Sequence, residues 1–125
     1  MCSSDLRPLA DDPLFAARLA EVEIDLMALE ITNLRVLAEA RARGAPGPMA
    51  SMLKIKGSEI YQRIAELILD AYGAAALPAR ADPKAHGGWA LAPAAAFYLN
   101  LRKVTIYGGS NEIQRGIIAK HVLGL

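Results

Sequence analysis

The chain has 125 residues, of which 14 are basic and 13 acidic, so its formal net charge is +1. This balance predicts no basic surface for nucleic acid or an anionic membrane, and no apolar run reaches the roughly 20 residues that cross a bilayer. The single cysteine, Cys2, excludes an internal disulfide and is typical of a reducing compartment, so we expect a cytoplasmic protein.

Residues 1–10 are predicted to lie outside the fold. Their first six letters, MCSSDL, lack the apolar stretch of a secretory signal and are similar to a translated sequencing-adapter remnant. We therefore expect a disordered or artefactual N-terminus, followed by one domain over residues 11–125.

The first helix is predicted to start at Asp12-Pro13, because an acidic cap followed by proline is a helix-start signal. We expect it to end at Arg43, with Gly44 as the closing residue. Its apolar residues recur in steps of four and three, which predicts one buried stripe. The members of that stripe are Phe15, Leu19, Val22, Leu26 and Leu29.

The second helix is predicted over residues 48–72, with Gly73 after its end. Gly57 lies within its apolar stripe, at a cost of roughly 1 kcal/mol relative to alanine, which indicates either close helix contact or simple tolerance. Residues 74–88 are rich in proline and glycine and predict a surface connection. A third helix, over about 92–105, follows it with Trp89, Phe97, Tyr98 and Leu101 as core anchors.

The fourth helix is predicted to begin at Ser110 or Asn111. Its expected buried face consists of Ile113, Ile117, Ile118 and Val122. Four amphipathic helices without a strand signal predict an all-α fold, an antiparallel (up-and-down) four-helix bundle.

The turn Tyr107-Gly108-Gly109-Ser110 is the strongest candidate site in the chain. Two glycines permit positive φ angles and close approach of another molecule. A helix N-terminus then presents backbone N–H groups to an anion or a carbonyl. Taken alone, this pattern is more typical of an ordinary corner between two helices.

The last residues, YGGSNEIQRGIIAKHVLGL, resemble the C-terminal signature of the acyl-CoA dehydrogenase flavoproteins, usually written Y-E-G-[ST]-x-x-I-Q. Two earlier segments, LAEVEIDLMALEITNLR and GPMASMLKIKGSEIYQRIAELILDAYG, resemble consecutive helices of that family. The resemblance implies that the full protein binds FAD and desaturates an acyl-CoA at Cα–Cβ, as in fatty-acid β-oxidation. It also implies that electrons pass to an electron-transferring flavoprotein, and that the protein is an oligomer built through its helical bundle.

By this resemblance, the family's catalytic glutamate position falls on Gly108, and Gly109 matches the glycine that lies against the acyl thioester. The run Ser110, Asn111 and Glu112 matches residues that contact FAD.

Gly73 matches a glycine of a flavin-contact turn, Q-x-x-G-G, which in the family reaches the flavin of a neighbouring subunit. Two departures weaken that match, because Asp70 replaces the glutamine and Ala74 replaces the second glycine.

The reaction needs a base that removes the α-proton while the flavin accepts the β-hydride. Gly108 has no group for this. Some branches of the family place the glutamate on an earlier helix, which would lie before Asp11, and we expect the same here. The chain could instead belong to a non-catalytic subunit, a stand-alone helical interaction module or a related oxidase. Glu112 is a weaker candidate base, and no residues have metal-ligand spacing.

Overall fold

A computed structural model describes residues 8–73 and 94–125, and every regular element in these two ranges is helical. The main helices are α1 (Pro13–Arg43), α2 (Ala50–Tyr72), α3 (Ala94–Leu101) and α4 (Asn111–Ile118). Short 3-10 segments occur at Leu9–Asp11 and Arg102–Thr105, and a π-helical turn follows α4 at Ala119–Leu123. The predicted all-α class is confirmed for the described residues.

Both ends of α1 form as local sequence signals predict. The Asp12 carboxylate accepts hydrogen bonds from the backbone N–H groups of Leu14 and Phe15 at 2.8 and 3.2 Å. At the other end, Gly44 adopts a φ of 77° and closes the helix. The two Asp12 bonds satisfy backbone N–H groups that the start of the helix itself leaves without partners.

The α1–α2 interface contains the first apolar cluster of the fold. Val22, Ile60 and Leu67 are its buried members, and four half-buried residues pack around them: Phe15, Leu19, Leu29 and Ile64. Burial of each such aliphatic side chain contributes about 1.5–3 kcal/mol. The predicted stripe of α1 is thereby confirmed except for Leu26, whose side chain is 49% exposed.

Ion pairs show the relative direction of α1 and α2. Arg18 near the start of α1 pairs with Asp70 near the end of α2 at 2.5 Å. Arg63 binds both Glu21 and Asp25, at 2.8 and 2.6 Å. The two helices therefore run antiparallel. Because these pairs lie at the surface, each contributes at most about 1 kcal/mol.

The second apolar cluster joins α2 to α3 and the 3-10 segment after it. Its buried members are Ala65, Leu101 and Val104. Gln62 on α2 donates hydrogen bonds to the carbonyl oxygens of Leu101 and Arg102 at 3.1 and 3.3 Å. Since α1, α3 and α4 all pack chiefly against α2, that helix is the centre of the described structure.

Three details of the helices differ from the sequence prediction. Helix α2 begins at Ala50, because residues 48–49 form a turn. Ile113 on α4 and Val122 in the π-helical turn after it are 59% and 44% exposed, so the predicted buried face is wrong at both positions. Phe97 on α3, a predicted core anchor, is 36% exposed and is not part of the buried core. The predicted anchor Trp89 lies outside the described residues. Over the same described ranges, no helix is long and apolar enough to span a bilayer.

Candidate functional site

The candidate site is the turn that leads into α4. Two backbone hydrogen bonds hold the chain that enters this turn. In them, the N–H groups of Ile106 and Tyr107 donate to the Lys103 carbonyl at 2.9 and 3.1 Å. Gly108 and Gly109 then follow with φ angles of 68° and 87°. Residues with a Cβ rarely adopt such angles, so two successive glycines are required by this backbone path.

The two glycines differ in what surrounds them. A Cβ placed on Gly109 would lie only 2.6 Å from Nε2 of Gln114, because that side chain folds back over the turn. A Cβ on Gly108 would meet no heavy atom within 4 Å. The Gln114 side chain of α4 therefore covers Gly109, whereas position 108 faces open space.

Ser110 is the N-cap of α4, as predicted. Its hydroxyl oxygen accepts a hydrogen bond from the backbone N–H of Ile113 at 3.4 Å, and its φ and ψ of −61° and 157° are extended. This geometry ends the turn and starts the helix within one residue.

Glu112 lies in the first turn of α4 with its carboxylate in solvent. Its pKa is lowered by a hydrogen bond from its own backbone N–H, then by one from the Ser110 hydroxyl, and further by the positive charges of Arg115 and Lys54. A lowered pKa makes Glu112 a poorer proton acceptor than an ordinary glutamate. Within this turn, the electrostatics therefore disfavour Glu112 as a base.

Asn111 is the buried residue of α4, with only 4% of its surface exposed. Its side-chain oxygen accepts a hydrogen bond from the Lys54 ammonium at 2.8 Å, and its amide donates to the Ser58 hydroxyl at 3.1 Å. Ser58 in turn donates to the Ile55 carbonyl at 2.8 Å. The Asn111 side chain is thus bound to α2.

A groove lies beside this turn, between α2 and the chain that enters α4. Its volume is about 340 Å³, at the lower end of the range of about 300–1,000 Å³ for small-molecule sites. Its lining combines apolar side chains with an ammonium group and hydroxyls. The lining residues are Leu53, Lys54, Gly57, Ser58, Tyr61, Val104, Tyr107 and Gly108.

Gly73 lies far from this groove within one chain. It is the C-cap of α2, and its N–H donates to the carbonyl oxygens of Leu69 and Asp70. At a rise of about 1.5 Å per residue, it is about 22 Å along the helix from Ser58. The Asp70 carboxylate is bound to Arg18. The structure therefore separates Gly73 from the Ser110–Glu112 run, and Ala74 lies outside the described residues.

Three residues that shape the site were not predicted from the sequence: Lys54, Ser58 and Gln114. Lys54 and Ser58 are four positions apart, a spacing that places both on one face of a helix. This spacing is the one sequence feature that indicates that Lys54 and Ser58 could act together. Nothing local in the sequence indicates that Gln114 turns back over Gly109. In the part of the chain that the structure describes, no three potential metal ligands come together.

Comparison with known proteins identifies the family. The profile of the acyl-CoA dehydrogenase C-terminal domain matches residues 3–123. Acyl-CoA dehydrogenase IpdE1 of Mycobacterium tuberculosis is 37% identical over 117 residues, covering 93% of this chain and 28% of the relative. IpdE1 of Mycolicibacterium smegmatis is 34% identical over 116 residues, covering 93% of the chain and 26% of the relative.

The chain therefore spans little more than a quarter of the length of the curated relatives it matches. No solved structure is a significant match. The family profile covers nearly all of the chain, including the turn at Gly108 and Gly109 and the start of α4. The chain belongs to the acyl-CoA dehydrogenase family, whose C-terminal domain it represents.

Proposed function

We propose that this chain is the helical C-terminal domain of an FAD-dependent enzyme that desaturates an acyl-CoA thioester between Cα and Cβ. The observation that carries the proposal is the pair of positive-φ glycines at 108 and 109, which lead directly into the N-cap of α4 beside a groove. In a member of this family, such a turn suits close approach of a thioester at Gly109 once the Gln114 side chain, which lies over that residue, turns aside.

The residues at the start of α4 fit one edge of a flavin site. Backbone N–H groups of the first helical turn point out of the helix, and an anion or carbonyl oxygen is favoured there. Ser110 and Glu112 lie at this edge, whereas Asn111 contributes through its backbone alone. When bound, the flavin supplies the acceptor for the β-hydride.

Gly73 fits a different role, contact with the flavin of a neighbouring subunit. Its distance of about 22 Å from Ser58 along α2 separates it from the α4 edge of its own chain, as a contact between subunits requires. This supports an oligomer, with the helices arranged as an up-and-down bundle of four. Support for that bundle comes from the antiparallel α1–α2 pair.

We place the catalytic base outside this chain. Gly108 has no proton acceptor, and Glu112 has a lowered pKa. In the full protein, a carboxylate on another helix would have to reach the α-carbon held near Gly109. Electrons would then leave the flavin for an electron-transferring flavoprotein, in the cytoplasm.

A second candidate is a non-catalytic subunit of a hetero-oligomeric acyl-CoA dehydrogenase. The same two observations favour it: position 108 carries no carboxylate, and the nearest glutamate in sequence is a weakened base. The two candidates differ in one respect, the presence of a base elsewhere in the full protein.

The test is to sequence the source DNA on both sides of the coding region and to express the longest open reading frame. We expect a protein with bound flavin, whose absorbance bleaches when an acyl-CoA is added without oxygen. Bound flavin that no acyl-CoA bleaches would favour the non-catalytic subunit. A longest frame that yields no flavin would refute both candidates and favour a helical interaction module.

The chain by itself serves as the control. We expect it to purify without tightly bound FAD and to leave acyl-CoA unchanged, because it spans only about a quarter of its relatives. Stoichiometric flavin in the purified chain would contradict this.

A further inference from the structure

Lys54 is the basic residue in the lining of the groove beside Gly108. Its ammonium group donates a hydrogen bond to the side-chain oxygen of Asn111 at 2.8 Å, and this partner is a neutral amide. Within residues 8–73 and 94–125, the ion pairs join other basic side chains to carboxylates, and none of them includes Lys54. Since an ammonium group has three N–H donors, Lys54 can bind a further acceptor.

The head group of Lys54 is anchored at one place in this groove. The residue is half-buried, and its partner Asn111 is 4% exposed and also donates to the Ser58 hydroxyl at 3.1 Å. The ammonium group is therefore held between α2 and the start of α4. A partly buried charge attracts an opposite charge more strongly than an exposed one, because water and salt screen it less.

The other groups that line the groove are mainly apolar. Leu53 and Val104 are aliphatic, and Tyr61 and Tyr107 carry aromatic rings that each end in one hydroxyl. Small-molecule sites combine apolar walls of this kind with a few polar groups that fix the orientation of a ligand. A ligand that matches this groove therefore has an apolar body and one negatively charged end.

The position of the groove relates it to the substrate of the proposed reaction. Gly108 belongs to its lining and precedes Gly109, the residue at which the proposed function places the acyl thioester. The acyl chain that extends from the thioester can therefore enter the groove. A volume of about 340 Å³, at the lower end of the range for small-molecule sites, suits a short chain.

The charge of Lys54 distinguishes between two kinds of acyl chain. A methyl end packed against the ammonium group would remove water from the charge and return no hydrogen bond, which is unfavourable. A carboxylate at the same place would accept a charge-assisted hydrogen bond, roughly twice as strong as one between neutral groups. We infer that the substrate is the CoA thioester of a short dicarboxylic acid, and that Lys54 is the residue that binds its free carboxylate.

This inference rests on the proposed desaturation and names its substrate class. The first test uses the full-length flavoprotein and compares adipyl-CoA with hexanoyl-CoA, whose acyl chains have equal length and differ only in a terminal carboxylate or methyl group. We expect a higher kcat/KM for adipyl-CoA. The difference should lie mainly in KM, because the carboxylate is remote from the bond that reacts.

Lys54→Gln removes the charge but keeps an amide N–H that can donate to Asn111. We expect it to lower the ratio of kcat/KM for adipyl-CoA over hexanoyl-CoA at least about tenfold, as loss of a hydrogen bond between charged groups predicts. A purely structural effect changes both substrates alike and cancels in this ratio. Lys54→Arg should retain most of the preference, since it keeps the charge.

Lys56→Gln is the matched control on the same helix. The Lys56 ammonium pairs with Glu59 at 3.3 Å, and Lys56 does not belong to the lining of this groove. Its loss should therefore leave the substrate ratio unchanged. If flavin is bound but no acyl-CoA bleaches it, the same ratios are taken from dissociation constants, measured through the flavin absorbance.

Two outcomes would overturn the inference while the proposed function stands. One is an equal or higher kcat/KM for hexanoyl-CoA, and the other is a substrate ratio that Lys54→Gln leaves unchanged. If the full-length protein holds no flavin, the proposed function fails, and the groove is then tested in the chain itself as a carboxylate site. NMR should show a saturable shift of the Asn111 side-chain amide on addition of adipate. No such shift, or the same shift in Lys54→Gln, would refute the site.

Discussion

Lys54 on α2 donates a hydrogen bond from its ammonium group to the side-chain oxygen of Asn111 on α4, at 2.8 Å. The contact joins residues 57 positions apart, and the buried Asn111 amide adds a second bond to Ser58 at 3.1 Å. Because Asn111 is the first residue of α4, these two bonds fix the point at which the glycine turn ends. The geometry of the candidate site therefore depends on polar contacts with α2.

Removing this contact should destabilise the fold. We expect Asn111→Ala to lower the free energy of unfolding by about 1–3 kcal/mol, because it leaves Ser58 and the Lys54 ammonium without their partner. Urea denaturation followed by circular dichroism measures the change. Asn100→Ala is the control at an exposed position, with an expected change within about 0.5 kcal/mol. Equal effects of the two variants would show that the buried bonds contribute nothing.

The two glycines of the turn should differ in their tolerance of alanine. Gly108→Ala meets no neighbour and is strained only by its φ of 68°, at a cost of about 1–2 kcal/mol. Gly109→Ala has similar φ strain and also places its Cβ 2.6 Å from the Gln114 amide, so the flexible Gln114 side chain must move aside and the substitution should cost slightly more. Thermal unfolding compares them. Adding Gln114→Ala to Gly109→Ala should recover the difference, and no recovery would contradict a role for Gln114.

Gly57→Ala should stabilise the chain by up to about 1 kcal/mol, because alanine is the better helix former. The new methyl group would lie 3.9 Å from Cδ2 of Leu29, an ordinary van der Waals contact. Gly116→Ala is a matched variant within α4, where no neighbour lies within 4 Å. A loss of stability at Gly57 alone would show that α1 and α2 need a residue without a side chain there.

The acidity of Glu112 gives a prediction for pH dependence. Its pKa in the folded chain lies below the ordinary value of 4.5, so the charged form favours folding. Any stability from this group is therefore present above pH 4.5 and is lost as the pH falls through the lower, folded-state pKa. A titration of the Glu112 carboxyl carbon by NMR should give a midpoint below 4.5. Ser110→Ala should raise that midpoint, and an unchanged midpoint would exclude the hydroxyl as a cause.

The ends of α1 could be predicted from sequence because their causes are local. Asp12 caps residues two and three positions ahead, and Gly44 closes the helix through its own φ angle. The same holds for the Ser110 cap and for the need for glycine at 108 and 109, where short-range sterics decide the backbone. The all-α class and most of the buried stripe of α1 could also be predicted, because the spacing of apolar residues along one helix is a local property of the sequence.

The surroundings of α4 could not be predicted in the same way. Ile113 and Val122 are nine positions apart, a separation that places two side chains on opposite sides of an α-helix, so one buried face could not include both. The structure buries Asn111 instead, because Lys54 and Ser58 supply the polar groups that make its burial possible. The distance between Gly73 and the glycine turn was likewise not predictable, because it depends on the length and direction of α2 in the folded chain.

The central position of α2 has a consequence for how the chain unfolds. Since α1, α3 and α4 each pack chiefly on α2, any one of them can detach while the other two keep their main contacts. Amide protons of α2 should therefore exchange with solvent most slowly, at a rate set by global unfolding. Those in the last turn of the chain, where Leu123 and Leu125 are 64% and 87% exposed, should exchange earlier and independently, through a local opening.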